Sequence, residues 1–237
     1  MPGRSTLPSR ILTSARWPVG ILATAWAYTW RTTPLHRRER PGSWEENAPH
    51  PLPPGAQRAD VQGPGDGAGP LLHRRYRARI LDSAVSAEEL IARLAADPNR
   101  VAPGTLAHFV KVEGGDGRMA VGDEFVVRMP GPWDGPVRVA DVTPTSFRFA
   151  TLEGHLEAGQ IEWKAWDDDG ALSFGIESWA RSGDRVSDLM HNRLRMAKEV
   201  QLHMWTRVIE RAARLVGGRL ERGIDIDTRR VEISDAA

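Results

Sequence analysis

Six β-strand patterns follow one another between residues 106 and 180 with no helical pattern among them, and one long amphipathic pattern comes after. The strands are predicted at 106–112, 121–129, 136–142, 146–152, 160–166 and 171–180. They are punctuated by Gly114-Gly115-Asp116-Gly117, Pro130-Gly131-Pro132, Thr143-Pro144 and Asp167-Asp168-Asp169-Gly170. Glycine and proline at such spacing read as turns between antiparallel neighbours. Asp167–Gly170 lacks the alternating ligands and closing glutamate of a calcium loop, so it reads as a hairpin turn.

Alternation along these strands separates two faces. Phe125, Val127, Met129, Val137, Val139, Phe147, Phe149, Ile161, Trp163, Leu172, Phe174 and Ile176 fall on one side. Glu124, Arg128, Arg138, Arg148, Glu162, Lys164 and Glu177 fall on the other. One buried and one wet face is the expectation for an antiparallel sheet, with the charges as a solvated outer row of cross-strand pairs.

Before the strands, Tyr76–Ile80 alternates as a seventh strand, and Ser86 with Glu89 forms a capping box for a short helix through Leu90, Ile91 and Leu94. After them, Val186, Met190, Ala197, Val200, Met204 and Val208 recur at steps of three and four. Trp205, Ile209, Ala212 and Val216 widen that stripe, and Gly217-Gly218 ends it. A helix from about Asp184 to Val216 would be about 45 Å long, enough to cross a curved sheet.

The flanks differ from this body. Residues 1–40 carry seven arginines against Glu39 and enclose the uncharged run Trp17–Trp30. They read as a basic aromatic arm suited to an anionic membrane surface, with an interfacial helix preferred. That run is about 21 Å of helix, short of a hydrocarbon core of about 30 Å. A helix packed on the protein's own surface and a signal peptide are the alternatives. The acidic remainder argues against nucleic acid as a partner. Residues 41–72 hold seven prolines and six glycines and read as a flexible linker, or as an extended arm lying on the domain. Residues 73–218 form the folded body, and residues 219–237 a tail with room for one short strand. The absence of cysteine excludes disulfides, zinc-thiolate sites and a cysteine nucleophile. The whole suggests a cytoplasmic protein, peripheral or anchored at a membrane through its arm.

Chemistry concentrates in one place. Gly154-His155-Leu156-Glu157-Ala158-Gly159 joins two strands and, with Glu153, places a histidine and two carboxylates where the sheet opens into a loop. An ordinary solvated hairpin is the plain alternative. Glu199 and His203 stand four apart on the long helix, but no third ligand is evident, so an i,i+4 contact is the simpler reading. No phosphate loop, dinucleotide fingerprint or serine nucleophile elbow is present.

This order of elements predicts an α+β helix-grip fold, a curved antiparallel sheet of about seven strands around a long C-terminal helix. The runs GDEFVVRMPGPWDGPVRV, FRFATLEGHLEAGQIEW, SWARSGD and AKEVQLHMW also resemble the bacterial and plant family catalogued as domain of unknown function 1990. The resemblance covers about residues 73–218 and is most specific at Gly154-His155 and the strand GPVRV. That family is similar to the START-like, polyketide-cyclase-like superfamily. It implies a cavity between sheet and helix holding a lipid, polyketide or other apolar small molecule. The residues themselves call for no cofactor or metal. Val139, Phe149, Trp163, Phe174 and Met204 are the expected ligand-binding walls, with His155 and Glu157 at the mouth. The alternative is a cyclase- or hydrolase-like enzyme using His155 with Glu153 or Glu157 as an acid/base pair. The direction in which His155 points discriminates between the two.

Overall fold

A computed structural model describes residues 33–129, 134–183 and 191–233, with the backbone alone described over residues 191–200. The readings made on the run Trp17–Trp30, and on the start of the long helix from Asp184 to Met190, lie outside the described residues.

All six strands in the run form. They are β3 (His108–Glu113), β4 (Glu124–Arg128), β5 (Asp134–Val142), β6 (Ser146–Thr151), β7 (Glu157–Asp168) and β8 (Ala171–Ser182). β7 turns into β8 through Asp169 and Gly170, both at positive φ, the geometry of an Asp-Gly hairpin turn. β2 (Ala68–Leu81) pairs antiparallel with β8.

The sheet has ten strands rather than about seven. β1 (Leu35–Pro41), β9 (Arg219–Leu220) and β10 (Ile224–Val231) extend it beyond β2. The order is β1-β10-β2-β8-β7-β6-β5-β4-β3, with β9 paired to β2 off this path. β1 runs parallel to β10, and the other neighbours are antiparallel. β1 reads LHRRERP and β10 carries three charges in alternation with Ile224, Ile226 and Thr228, so neither presents an apolar run. Charged side chains on such a strand also deter edge-to-edge pairing. Register shifts at Lys111/Glu113 and Val139/Asp141 mark bulges, which bend a sheet locally.

Two helices cover the inner face. α2 (Ala87–Ala96) is capped by Ser86, whose hydroxyl accepts the Glu89 N–H, and it buries Leu90, Ile91 and Leu94. A one-turn helix, α1 (Trp44–Asn47), precedes it on the other face. The long helix α3 (His191–Leu215) ends at Gly217, whose φ of 72° favours glycine. Val208, Ile209, Ala212, Ala213 and Val216 of its stripe are buried with Phe149, Trp163 and Phe174 in one core. Among the described residues, no helix is long and apolar enough to cross a membrane.

The outer face departs from the wet row expected of it. Arg138, Arg148 and Glu177 are buried, Arg138 at 1 % exposure. The segment expected to be a flexible linker covers Arg138 and Arg148, and it reaches Glu177 through His73. Arg138 donates to both carboxylate oxygens of Asp60, at 2.8 and 2.6 Å, and to Glu124. Arg148 donates to the carbonyls of His50 and Pro51. Arg181 donates to the carbonyls of Pro64 and Gly69 at 2.9 and 2.7 Å. Asn47 on α1 reaches His73 Nδ1 at 3.0 Å. Ala56, Leu52 and Val61 pack on Ala140 and Ala150. A proline-rich segment is poor in N–H donors and rich in carbonyl acceptors, and arginine carries donors only. The segment therefore docks as a strap by polar complementarity, with little apolar area. The segment is thus the arm lying on the domain rather than the flexible linker. For this reason the wet-face expectation fails at Arg138, Arg148 and Glu177. Arg128 stays exposed, and the pairs Arg138–Glu124 and Lys164–Glu177 form across strands as expected. The expected boundary at His73 also falls inside β2, and β10 belongs to the sheet rather than to a tail.

Candidate ligand-binding site

The inward-facing row of β2 runs Leu72, Arg74, Tyr76, Ala78, Ile80. Tyr76, Ala78 and Ile80 lie in the core. Arg74 shares their parity and is 8 % exposed, a cation on the face that α3 covers. In register beside it are Ser178 of β8, also buried, and Thr228 of β10. Arg74 donates to Gln201 Oε1 on α3, and Gln201 Nε2 donates at 2.8 Å to the carboxylate of Glu157 at the start of β7. The neutral amide thus joins a cation to a carboxylate that do not touch. Among the described residues Arg74 has no ion pair. Burial pushes the neighbouring Tyr76 phenol above its ordinary pKa; the Arg74 charge opposes this and the Glu157 charge adds to it.

The turn before β7 is built on itself. Gly154 takes φ +89°, and the His155 N–H donates to the Leu152 carbonyl at 3.0 Å. His155 is half-buried, and its Nδ1 accepts the Glu157 N–H at 2.9 Å. Burial pushes the imidazole below its ordinary pKa and so favours this neutral acceptor, while the Glu157 charge pulls the other way. Its ring lies over Gly135 of β5, where a Cβ would come within 2.9 Å of Nε2. Gln62 of the strap donates its side-chain amide to the carbonyls of His155 and Glu157, at 3.1 and 3.3 Å. Glu153 is exposed, and its N–H donates to the Asp60 carbonyl. Among the described residues, no hydrogen bond joins His155 to either carboxylate. The imidazole points neither at a carboxylate nor into open solvent but into the backbone of its own turn, so the acid/base arrangement considered from sequence is not assembled.

Val139, Phe149, Trp163, Phe174 and Met204 come together in the same core. Trp163 tilts against Phe147 at 5.3 Å between ring centroids and meets Phe174 and Trp205 edge to face at 6.3 and 6.0 Å. Phe149 stacks on Phe109 at 5.8 Å. The indole Nε1–H groups of Trp163 and Trp205, residues 0 and 7 % exposed, have no hydrogen-bond partner among the described residues.

Sequence reasoning named His155 and Glu157 but missed Arg74, Tyr76, Ser178 and Gln201. The signal for Arg74 was parity, since an arginine two residues before an inward tyrosine must face inward. Gln201 sits four residues after Ala197 and three before Met204, on the apolar stripe itself. The side chain of Glu199, weighed with His203 as a metal pair, lies outside the described residues. Among the described residues, no three histidine, aspartate or glutamate side chains gather as a metal site.

No curated protein matches the chain in sequence. Solved structures of similar form include the di-domain ARO/CYC StfQ from the steffimycin biosynthetic pathway. Its TM-score is 0.48 at 11 % identity, over 65 % of this chain and 52 % of StfQ, so the chain spans about half of that protein. Protein Ms6760 from Mycobacterium smegmatis has a TM-score of 0.42 at 17 % identity, over 67 and 97 % of the two chains. Norcoclaurine synthase from Thalictrum flavum, in complex with dopamine and hydroxybenzaldehyde, has a TM-score of 0.41 at 13 % identity, over 68 and 93 %. The sequence itself is matched from residue 43 to residue 211, strap included, by the family model described as Domain of unknown function (DUF1990), and the chain belongs to that family.

Proposed function

We propose that the protein binds an apolar small molecule or lipid between the inner face of its sheet and α3, in a helix-grip arrangement, and acts as a binder rather than an enzyme. The observation that carries this reading is the pair of unpartnered indole N–H groups, one from the sheet at Trp163 and one from the helix at Trp205. Buried donors are satisfied in the great majority of native proteins, because leaving one unpaired costs about 1–3 kcal/mol. Two such donors on opposite sides of one interface call for an acceptor that enters between them. An oxygen of a guest meets that need. Met204, a flexible thioether on the same surface, can shift to admit it. Val139, Phe149 and Phe174 then supply apolar contact, and the entrance lies between the His155–Glu157 turn and the helix at Gln201. A few polar groups around an apolar space are the usual makeup of a small-molecule site.

The test is native mass spectrometry of the purified protein before and after organic extraction, combined with 15N NMR of the tryptophan indoles. A stoichiometric apolar ligand should copurify, and its removal should shift the Trp163 and Trp205 indole resonances while leaving Trp166, on the outer face, in place. If no ligand copurifies and the neutral dye N-phenyl-1-naphthylamine also fails to bind, the proposal is wrong.

A further inference from the structure

We infer that the ligand carries an oxyanion, a carboxylate or a group of like chemistry, and that Arg74 receives it. The inference rests on the binding reading above and adds the ligand's charged end. Arg74 is a buried guanidinium with no ion pair among the described residues, on the sheet face that α3 covers. Buried charges in proteins are as a rule paired. Gln201 cannot serve as a counter-charge. Because its amide nitrogen is committed to Glu157, its oxygen is the atom turned to Arg74, and it fixes the guanidinium without neutralising it. A guanidinium has five N–H donors in a planar fork matched to a carboxylate, and Gln201 occupies one edge. Buried hydroxyl groups of Tyr76 and Ser178 flank the same place on β2 and β8 and can complete an oxyanion's hydrogen bonds.

The arrangement also explains why Glu157 stands off. A carboxylate in direct contact with Arg74 would satisfy it and close the site, whereas one held beyond an amide leaves the fork open. The ligand is thus an amphiphile, with an oxyanion at Arg74 near the entrance and an apolar body running inward toward the two indoles.

Two dyes that share a skeleton test this. 1-Anilinonaphthalene-8-sulfonate carries an oxyanion, and N-phenyl-1-naphthylamine lacks it. Arg74→Gln should weaken the sulfonate dye on the order of 10–100-fold, the range of a charge-assisted hydrogen bond, and change the neutral dye less than about twofold. Arg74→Lys, which keeps the charge but not the fork, should fall between. Displacement of the neutral dye by dodecanoate or by 1-naphthoate then separates an acyl from an aromatic carrier of the same oxyanion. Equal loss of both dyes in Arg74→Gln and Arg74→Lys would make Arg74 a structural residue and overturn the inference. So would unchanged sulfonate binding in Arg74→Gln. Failure of both dyes to bind the unaltered protein removes the binding reading instead.

Discussion

Replacing Glu177 by glutamine tests how the strap is held. The Glu177 carboxylate is buried on the outer face, 2.7 Å from His73 Nε2, 2.7 Å from Lys164 Nζ and 3.2 Å from Arg75 Nε. His73 in turn reaches Asn47 of α1, whose side-chain nitrogen donates to the Ser43 carbonyl, leaving its oxygen for the His73 Nδ1–H. Trp179 stacks on the imidazole at 5.0 Å. Burial alone would raise the Glu177 pKa, but the hydrogen bonds from His73 and Lys164, with their charges, outweigh it and bring it from 4.5 down to about 2. A folded-state pKa below the unfolded one stabilises the fold above the unfolded value, and the contribution fades as pH falls toward the folded value. The shift is worth about 3 kcal/mol at pH 7 and about 1.5 kcal/mol at pH 3. Glu177→Gln should therefore lose about 3 kcal/mol in urea unfolding at pH 7, and its deficit against the unaltered protein should halve by pH 3. Parallel stability curves from pH 7 to pH 3 would refute the argument, because the loss would then owe nothing to the carboxylate's charge.

Trp205→Ala should cost about 3–5 kcal/mol by chemical denaturation, since Trp205 is buried against Trp163 at the sheet–helix interface; a loss below 1 kcal/mol would place the indole outside the core. A chain beginning at His73 should melt well below the full chain by circular dichroism, because it lacks β1 and the strap, uncovers Arg138 and Arg148 and deprives His73 of Asn47. An unchanged melting temperature would mean that the strap contributes nothing.

The inner face of the sheet was legible because alternation there reports a hydrophobic core directly. Phe149, Trp163 and Phe174 are where the period of two puts them, and the three- and four-residue steps of α3 meet them. β10 was legible only as room for one short strand in residues 219–237, although Ile224 and Ile226 alternate there and lie in the core; β1 was not legible. LHRRERP has no apolar period, and a strand that pairs in parallel with a partner far along the chain is held by backbone hydrogen bonds rather than by a hydrophobic face. The turn at His155 was visible as a turn, but its side-chain direction was not. Two residues of local geometry bring the imidazole onto the Glu157 N–H, a contact that residue type alone does not specify. Arg74 and Gln201 were overlooked because a polar residue within an apolar series reads as an interruption of the core, although in both cases spacing already assigned the face.

The outer face shows what alternating charge leaves open. A row such as Arg138, Arg148, Glu162 and Glu177 has the same period whether water or chain covers it, because an arginine donates equally well to either. What separates the two is whether the sequence supplies a segment with acceptors to spare. Residues 49–54 hold four prolines in six positions, and the backbone N–H groups missing there leave carbonyls at His50 and Pro51 with no competing local donor. Asp60 and Asn47, two polar side chains of the strap, meet Arg138 and His73, the outward positions at the two ends of the cross-strand row Arg138, Ala150, Gln160, Trp179, His73. Proline and glycine content measures how little apolar area a segment can bury, and on that count this one belongs in solution. It stays on the sheet because arginines already there donate to its carbonyls at His50, Pro51, Pro64 and Gly69, so the composition that suggested a linker is also what suits it to be a cover.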